Sequence, residues 1–391
     1  MMYAYCKRLA KRLRHLREER GAVLVVVAAA MLGLTSGVAL AVDVGLMTTA
    51  RVEAQRAADA SALAGAGGLV QSPGNSDLAR YLADAYASEN IVRHVPVALQ
   101  PEDITVDLDE LTVTVYVYRV EERDNAISTF FARVFGVSHV DISAMATAEA
   151  APAGGVNCLL PVAMPDRWEE ADVPGNDPKD FNPELGDYYV PWVQAGTDPP
   201  VYNTGFTGYS DSDLGLQVTI KSNSGGGNLN SSWYYPWRPY AEQGAEDYEG
   251  NVRHCVDPSV GYQIGMEVET EPGNMTGPTV KGFEDLINLD PTARWNASMN
   301  CVVSAGYEGS LDPSQCRGSP RIRPIPMFDP RAEPDLGNKP FTFTNFVGLF
   351  VESIQGNSVM GRWVGYTGVA PASPDDESSA GPLFKVVRLI E

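Results

Sequence analysis

The chain is poor in the residues from which most catalytic and metal centres are built. Its 391 residues include 4 histidines and 5 cysteines. No C-x-x-C pair occurs, and past the N-terminal segment the histidines are His94, His139 and His254. A zinc site is therefore not expected, nor any other metal centre of that kind. His254 and Cys255 are adjacent, but catalytic partners normally meet through the fold rather than along the chain. There is no G-x-S-x-G, H-E-x-x-H, phosphate-binding loop or dinucleotide fingerprint. A hydrolase would need convergent Ser, His and Asp groups that the sequence does not bring together, so an enzyme is not expected. No internal repeat is present. Basic charge is scarce too. The formal net charge is −21, and after residue 20 there are 22 basic against 48 acidic residues. Such a surface repels phosphates, which excludes nucleic acid as a partner.

What is present begins with an apolar run. Residues 22–42, AVLVVVAAAMLGLTSGVALAV, carry no charge, and Asp43 closes them. At 1.5 Å per residue this stretch spans about 31 Å, enough for a bilayer core. Seven basic residues precede it (Lys7, Arg8, Lys11, Arg12, Arg14, Arg17 and Arg20), and the next is Arg51. This asymmetry predicts a single-pass membrane protein with a cytoplasmic N-terminus and everything from Asp43 onward outside. A cleaved signal peptide, cut after the small residues Ala39 and Ala41, is the competing reading. Against it, the run exceeds the usual hydrophobic core of a leader. Helix formers also continue beyond it to Gly65, Gly67 and Gly68, predicting a rod of about 45 residues, or 65–70 Å.

The rod has a small-residue face. Ala29, Gly33, Gly37, Ala41 and Gly45 recur every fourth residue, and Ala50, Ala54, Ala58 and Ala62 repeat the spacing farther out. Small residues let a second helix backbone approach closely in lipid, so a partner helix is expected along this stripe. Arg51, Gln55 and Asp59 form a separate polar stripe on the solvated side. For Asp43, two readings stay open: contact with water, or pairing with a cation on a partner helix.

Farther along, 76–93 reads as a helix capped by Ser76 or Asp77. Residues 104–120 read as two strands joined at Asp109-Glu110. Residues 125–137 read as an amphipathic helix with Ile127, Phe130, Phe131, Val134 and Phe135 inward. A strand is expected over 139–150. Past PAGG (152–155) the chain turns rich in Pro, Gly, Trp and Tyr. Strands are expected at 218–222 and 262–270, a helix within 280–295 ending before Pro291, and a hairpin turning at Gly356-Asn357. A loop is expected over 371–381, followed by a last strand over 382–390. The fold class is α+β. A cytoplasmic tail (1–20) leads to a transmembrane helix (21–43), then a rod with a pilin-like α/antiparallel-sheet module (44–151), then a β-rich, Pro/Gly-rich extracytoplasmic domain (152–391).

Cys6 falls on the cytoplasmic side, while Cys158, Cys255, Cys301 and Cys316 fall outside, where two disulfides are expected. Of three possible pairings, Cys301–Cys316 is the most local, leaving Cys158 for Cys255. The shorter loop is worth about 3 kcal/mol in the chain-entropy view. WYYPWRPY (233–240) offers Trp233, Tyr234, Tyr235 and Trp237 either as a glycan- or protein-binding surface or as packing under proline-rich loops. The acidic segments 176–180 and 211–213 are calcium candidates or solvated loops, and neither has the EF-hand pattern. EPGNMTGP (271–278) reads as a turn.

The ordered set Arg20-Gly21-Ala22, Ala41-Val42-Asp43-Val44-Gly45, Arg51 and QRAADASALAGA (55–66) resembles the Tad/Flp pilus-assembly TadE/TadG-like family. STFFA (128–132) and VDISAMATA (140–148) resemble the end of its pilin-like module. CLLP (158–161), PDRW (165–168), EPGNMTGPT (271–279) and PIPMFD (324–329) resemble the C-terminal part of TadG-related proteins. The resemblance implies a non-enzymatic assembly or minor pilin-like component, partnered by other pilin-like or Tad assembly subunits and needing no cofactor. Two features depart from related patterns. Val26 stands five positions after Gly21, where type IV pilins carry Glu, and the D-x-S-x-S metal motif of some TadG-like proteins is absent. The alternative function is a membrane-anchored binding protein or adhesin using the aromatic segment.

Overall fold

The computed structural model describes residues 2–194, 201–202, 204–222, 228–239, 244–257, 259, 261–334, 340–369 and 381–390. Two compact units emerge: Met1–Ala58 with Ala87–Leu99 and Tyr116–Met145, and Asp59–Tyr86 with Gln100–Val115 and Ala146–Glu391.

Helix α1 runs without interruption over Met2–Gln71. Its sequence has no proline and is dominated by Ala, Leu and other helix formers. Within the apolar run the Thr35 hydroxyl donates to the Met31 carbonyl at 2.8 Å, so its polar group is satisfied inside the helix. In the first unit a short antiparallel stem, Ile127–Ser128 against His139–Val140, carries a tip that includes the 3-10 turn Ala132–Phe135. The amphipathic helix expected over 125–137 is thus replaced by a hairpin. Ile127 is buried, but Phe130, Val134 and Phe135 face outward.

In the second unit α1 continues through Gly65, Gly67 and Gly68, where a break was expected, and ends at Gln71. Gly65 and Gly68 serve close approach instead. A Cβ on Gly65 would fall 2.7 Å from Val113 Cγ1 and 3.2 Å from the Ala79 carbonyl oxygen. Helix α2, Ser76–Glu89, packs there. Its cap is Asn75, whose Oδ1 accepts the Leu78 N–H at 3.0 Å, rather than Ser76 or Asp77. Strands β1 (Ile104–Asp107) and β2 (Thr112–Arg119) form the expected hairpin, followed by β3 (Ile142–Pro152).

The remaining elements are β4 (Val162–Pro165), β5 (Gln217–Ser222), β6 (Trp233–Arg238), α3 (Ala245–His254), β7 (Glu267–Thr270) and α4 (Thr276–Asn288). They continue with β8 (Ala293–Asn296), β9 (Cys301–Ser304), β10 (Ile322–Phe328), β11 (Phe341–Gln355), β12 (Ser358–Val364), β13 (Tyr366–Thr367) and β14 (Phe384–Leu389). Strand β14 pairs antiparallel with β3, giving a sheet ordered β13-β14-β3-β2-β1. A larger sheet has the order β5-β12-β11-β7-β6-β4-β10, and β10 also pairs with β11. Five of its strands (β11, β7, β6, β4 and β10) therefore close into a ring of pairings, which leaves few free edges. The hairpin β11–β12 turns at Gly356-Asn357, with Gly356 at φ 62°. The chain as a whole is α+β, with a long apolar helix ahead of a strand-rich remainder. Residues 371–380 of the expected loop lie outside the described residues.

Two apolar clusters fill the strand-rich part. One holds Trp233, Tyr235, Trp237, Tyr262, Phe328, Phe343 and Phe346, and the other Tyr234, Phe283, Leu286, Val347 and Trp363. Disulfides join Cys158 to Cys255 and Cys301 to Cys316. The second packs with Leu78, Met299 and Val303 in a smaller cluster, and the Ser72 hydroxyl donates to the Met299 carbonyl at 2.9 Å.

Candidate functional site

The site follows from how α1 is used along its length. The described part of its apolar run is exposed almost throughout: Leu24, Leu32, Leu34 and Val38 are each more than 60% accessible. The helix is long and apolar enough to cross a membrane, and the most hydropathic window is bare of protein contact. On this stretch Ala29, Gly33, Gly37, Ala41 and Gly45 line one open face. A Cβ added at Gly33, Gly37 or Gly45 would meet nothing within 4 Å.

The outer half of the stripe differs. Ala50, Ala54 and Ala58 are completely buried within the chain itself. Gln55, expected on the solvated side, donates to the Met145 carbonyl of β3 at 2.8 Å. Small residues here admit the protein's own backbone, so these three alanines offer no surface to a partner helix. The four-residue spacing is common to both halves, which is why sequence alone did not divide them.

Asp43 marks the division, and its placement corrects both readings offered above. It is buried, with 1% of its surface accessible, and its carboxylate is taken up by backbone amides of the chain. Its Oδ1 accepts the Phe130 N–H at 2.8 Å, and its Oδ2 accepts the N–H groups of Phe131 at 2.9 Å and Ala132 at 2.5 Å. The carboxylate thus caps the 3-10 turn Ala132–Phe135 from a helix 87 residues earlier. STFFA shows no spacing that announces this contact. The available signal was a carboxylate at a membrane boundary together with amides that needed an acceptor.

The aromatic segment lies in the core. Trp237 and Tyr235 are fully buried, Tyr234 and Trp233 nearly so. Trp237 donates through Nε1 to the Leu160 carbonyl at 3.0 Å and packs edge-on against Tyr262 and Phe343. The Tyr234 hydroxyl donates to Thr279 Oγ1 at 2.8 Å. These rings have no free face for a sugar or a partner, and Tyr240 lies outside the described residues. Packing was the other reading of this segment, and Trp233, Tyr234, Tyr235 and Trp237 adopt it.

The acidic candidates are occupied by the chain. Asp213 pairs with Arg167 and accepts the Ser210 N–H, while Asp211 pairs with Lys385. Asp177 accepts the Lys179 N–H, and Asp180 accepts from Asn230. Among the described residues no three His, Cys, Asp or Glu side chains gather to hold a metal. EPGNMTGP turns at Gly273 (φ 101°) and then enters α4 at Thr276, so the helix begins four residues earlier than its apolar spacing suggested.

Asp166, in the PDRW segment, is a buried hub that the sequence did not reveal. Its carboxylate accepts the N–H groups of Arg167 and Tyr209 and the Tyr189 hydroxyl, at 2.9–3.0 Å. Burial pushes its pKa up to about 6, against the pull of these hydrogen bonds. Every donor is internal, so the network serves packing rather than chemistry. The raised pKa makes ionisation cost stability as pH rises from about 4 to about 6, by roughly 3 kcal/mol at full shift. Asp166→Asn keeps an acceptor and should remove this slope. Urea unfolding midpoints of the two proteins, compared between pH 4 and pH 7, check it. The wild type should lose stability relative to the variant across that window.

These features define a class: an α+β protein on one membrane-competent N-terminal helix, with a disulfide-bonded, strand-rich body. The comparison with known families falls on the helix. Residues 21–68 match the family described as putative Flp pilus-assembly TadE/G-like. The match runs from the start of the apolar run to the glycine-rich end of α1. No curated protein and no solved structure shows significant similarity to the chain.

Proposed function

We propose that the protein is a non-enzymatic, inner-membrane-anchored assembly or scaffold component of a Flp pilus system, related to minor pilin-like subunits. In this reading residues 1–20 are cytoplasmic, 21–43 cross the inner membrane, and the 44–151 and 152–391 parts stand in the periplasm. The family match to residues 21–68 carries the proposal, because it falls on a helix whose apolar surface the chain leaves uncovered. The open Ala29–Gly33–Gly37–Ala41–Gly45 face would receive a helix of a related subunit, since in lipid close backbone approach substitutes for hydrophobic driving force. The disulfides suit an oxidising compartment. The burial of Trp233, Tyr235 and Trp237 removes the observation on which an adhesin reading would rest.

The double variant Gly33→Leu, Gly37→Leu tests the packing face. A Cβ at either position has nothing within 4 Å, so folding should be intact. Co-purification with pilin-like partners from solubilised membranes should fall about tenfold or more, a loss of about 1.4 kcal/mol of association. Unchanged recovery of partners would remove this face from the proposal.

A further inference from the structure

The tip of the hairpin in the first unit has no part in the packing face, and its chemistry is unusual for a surface exposed to water. It is a built structure. The Thr129 N–H donates to the Ser138 carbonyl at 3.1 Å, and its hydroxyl donates to the Val137 carbonyl at 2.5 Å. Gly136 takes φ 88° and closes the turn by donating to the Arg133 carbonyl at 3.1 Å. On this frame Phe130 is 71%, Val134 82% and Phe135 75% accessible, with Phe131 and Val137 partly so. Contiguous exposed apolar groups of this kind mark a surface that something covers.

The position of the tip indicates what covers it. Asp43 ends the apolar run, and its carboxylate holds the amides of Phe130, Phe131 and Ala132. The tip is therefore level with the point where α1 leaves the lipid. Leu40, Val42 and Val44, flanking Asp43 on the helix, are exposed as well. Arg133 is exposed on the same tip of an otherwise acidic chain.

We propose that residues 129–138 are a second membrane contact, an interfacial anchor that lies in the outer leaflet beside α1. Phe130, Val134 and Phe135 enter the boundary between headgroups and acyl chains, roughly 5–10 Å deep, and Arg133 meets lipid phosphate. This rests on the reading of 22–42 as a membrane span. Two attachments at one level restrict the rotation and tilt of the helix, properties that interfacial anchors set. They thereby fix the direction in which the Gly33–Gly37 face points.

The test uses the full-length protein with Cys6→Ser, so that introduced thiols can be labelled while the disulfides stay oxidised. Single variants Phe135→Cys, Leu34→Cys and Asp124→Cys each receive an environment-sensitive fluorophore. They are reconstituted in phosphatidylcholine–phosphatidylglycerol vesicles with lipids bearing a nitroxide near the headgroup or near the acyl terminus. The label at 135 should be blue-shifted and quenched more by the shallow nitroxide than by the deep one. The label at 34 should show the reverse preference, and the label at 124 should read as water. Quenching at 34 with an aqueous signal at 135 would overturn the anchor while keeping the span. A blue-shifted, unquenched label at 135 would also overturn it, showing protein cover instead of lipid. Absence of quenching at 34 would defeat the span itself.

Discussion

Arg321→Ala is expected to destabilise the strand-rich part by about 4 kcal/mol, because the guanidinium serves as an internal hydrogen-bond donor to an irregular backbone. Arg321 has 1% of its surface accessible. Its Nε donates to the Val351 carbonyl at 2.8 Å, and Nη2 donates to the carbonyls of Val351 and Glu352 at 2.5 and 2.6 Å. Nη1 donates to the Asp290 and Ala293 carbonyls at 3.0 and 3.2 Å. The register of β11 against β12 shifts between Val351 and Ser353. A bulge of this kind leaves carbonyls without ladder partners, and the guanidinium satisfies them. It also joins β11 to the start of the β8–β9 hairpin and packs over the Phe350 ring, 5.0 Å from its centroid. Alanine would take the guanidinium from the Val351 and Glu352 carbonyls at the bulge, while the Asp290 and Ala293 carbonyls keep the Ala293 N–H and Arg294 Nη1 as donors. Lysine cannot reproduce five donations in a plane, so Arg321→Lys should recover only part of the loss. Thermal unfolding of the full-length protein in detergent should show the alanine variant lower by about 10 °C. A shift within a degree or two would show that water satisfies the bulge.

The second large effect is local. Asp43→Ala removes the acceptor from three successive amides. The hairpin stem has two residue pairs, too few to hold the tip by itself. Hydrogen exchange at Phe130, Phe131 and Ala132 should accelerate by about a hundredfold or more, since bonds to a charged acceptor are the stronger class. Asp43→Asn retains one carbonyl oxygen and should lie between. Exchange elsewhere, such as at Val113 and Val115 in β2, should stay near wild type. Equal exchange at the three amides in all three proteins would show that the tip holds itself.

The parts of this fold that were legible in sequence are those governed by short-range rules. The uncharged run gave the membrane-competent helix. The alternation of Val113, Val115 and Val117 gave β2, and Gly356-Asn357 gave the long hairpin. Two other features depended on contacts remote in sequence. Ile127, Phe130, Phe131, Val134 and Phe135 have helical spacing, yet Asp43 captures the amides of that stretch and turns the phenylalanines outward. The alanines at 50, 54 and 58 have the spacing of the glycines at 33 and 37, yet the chain's own backbone covers them. The ring of strands was illegible for another reason. β4 and β7 have four residues each, too few to show a period, and their partners are remote: Met164 of β4 pairs with Met327, and Glu267 of β7 pairs with Thr342. Asp166 and Arg321 carry no local mark of burial, because their partners are mainly backbone groups that any sequence supplies.

The account rests on α1 remaining uncut and threaded through the inner bilayer. Its most direct test is the mass and topology of the native product in cell membranes. After alkaline extraction, intact protein beginning before Arg20 should stay in the inner-membrane pellet. Protease added to spheroplasts should digest the region beyond Asp43 and spare a fragment containing residues 1–42. A soluble full-length product, or a mature chain starting just past Ala41, would contradict it.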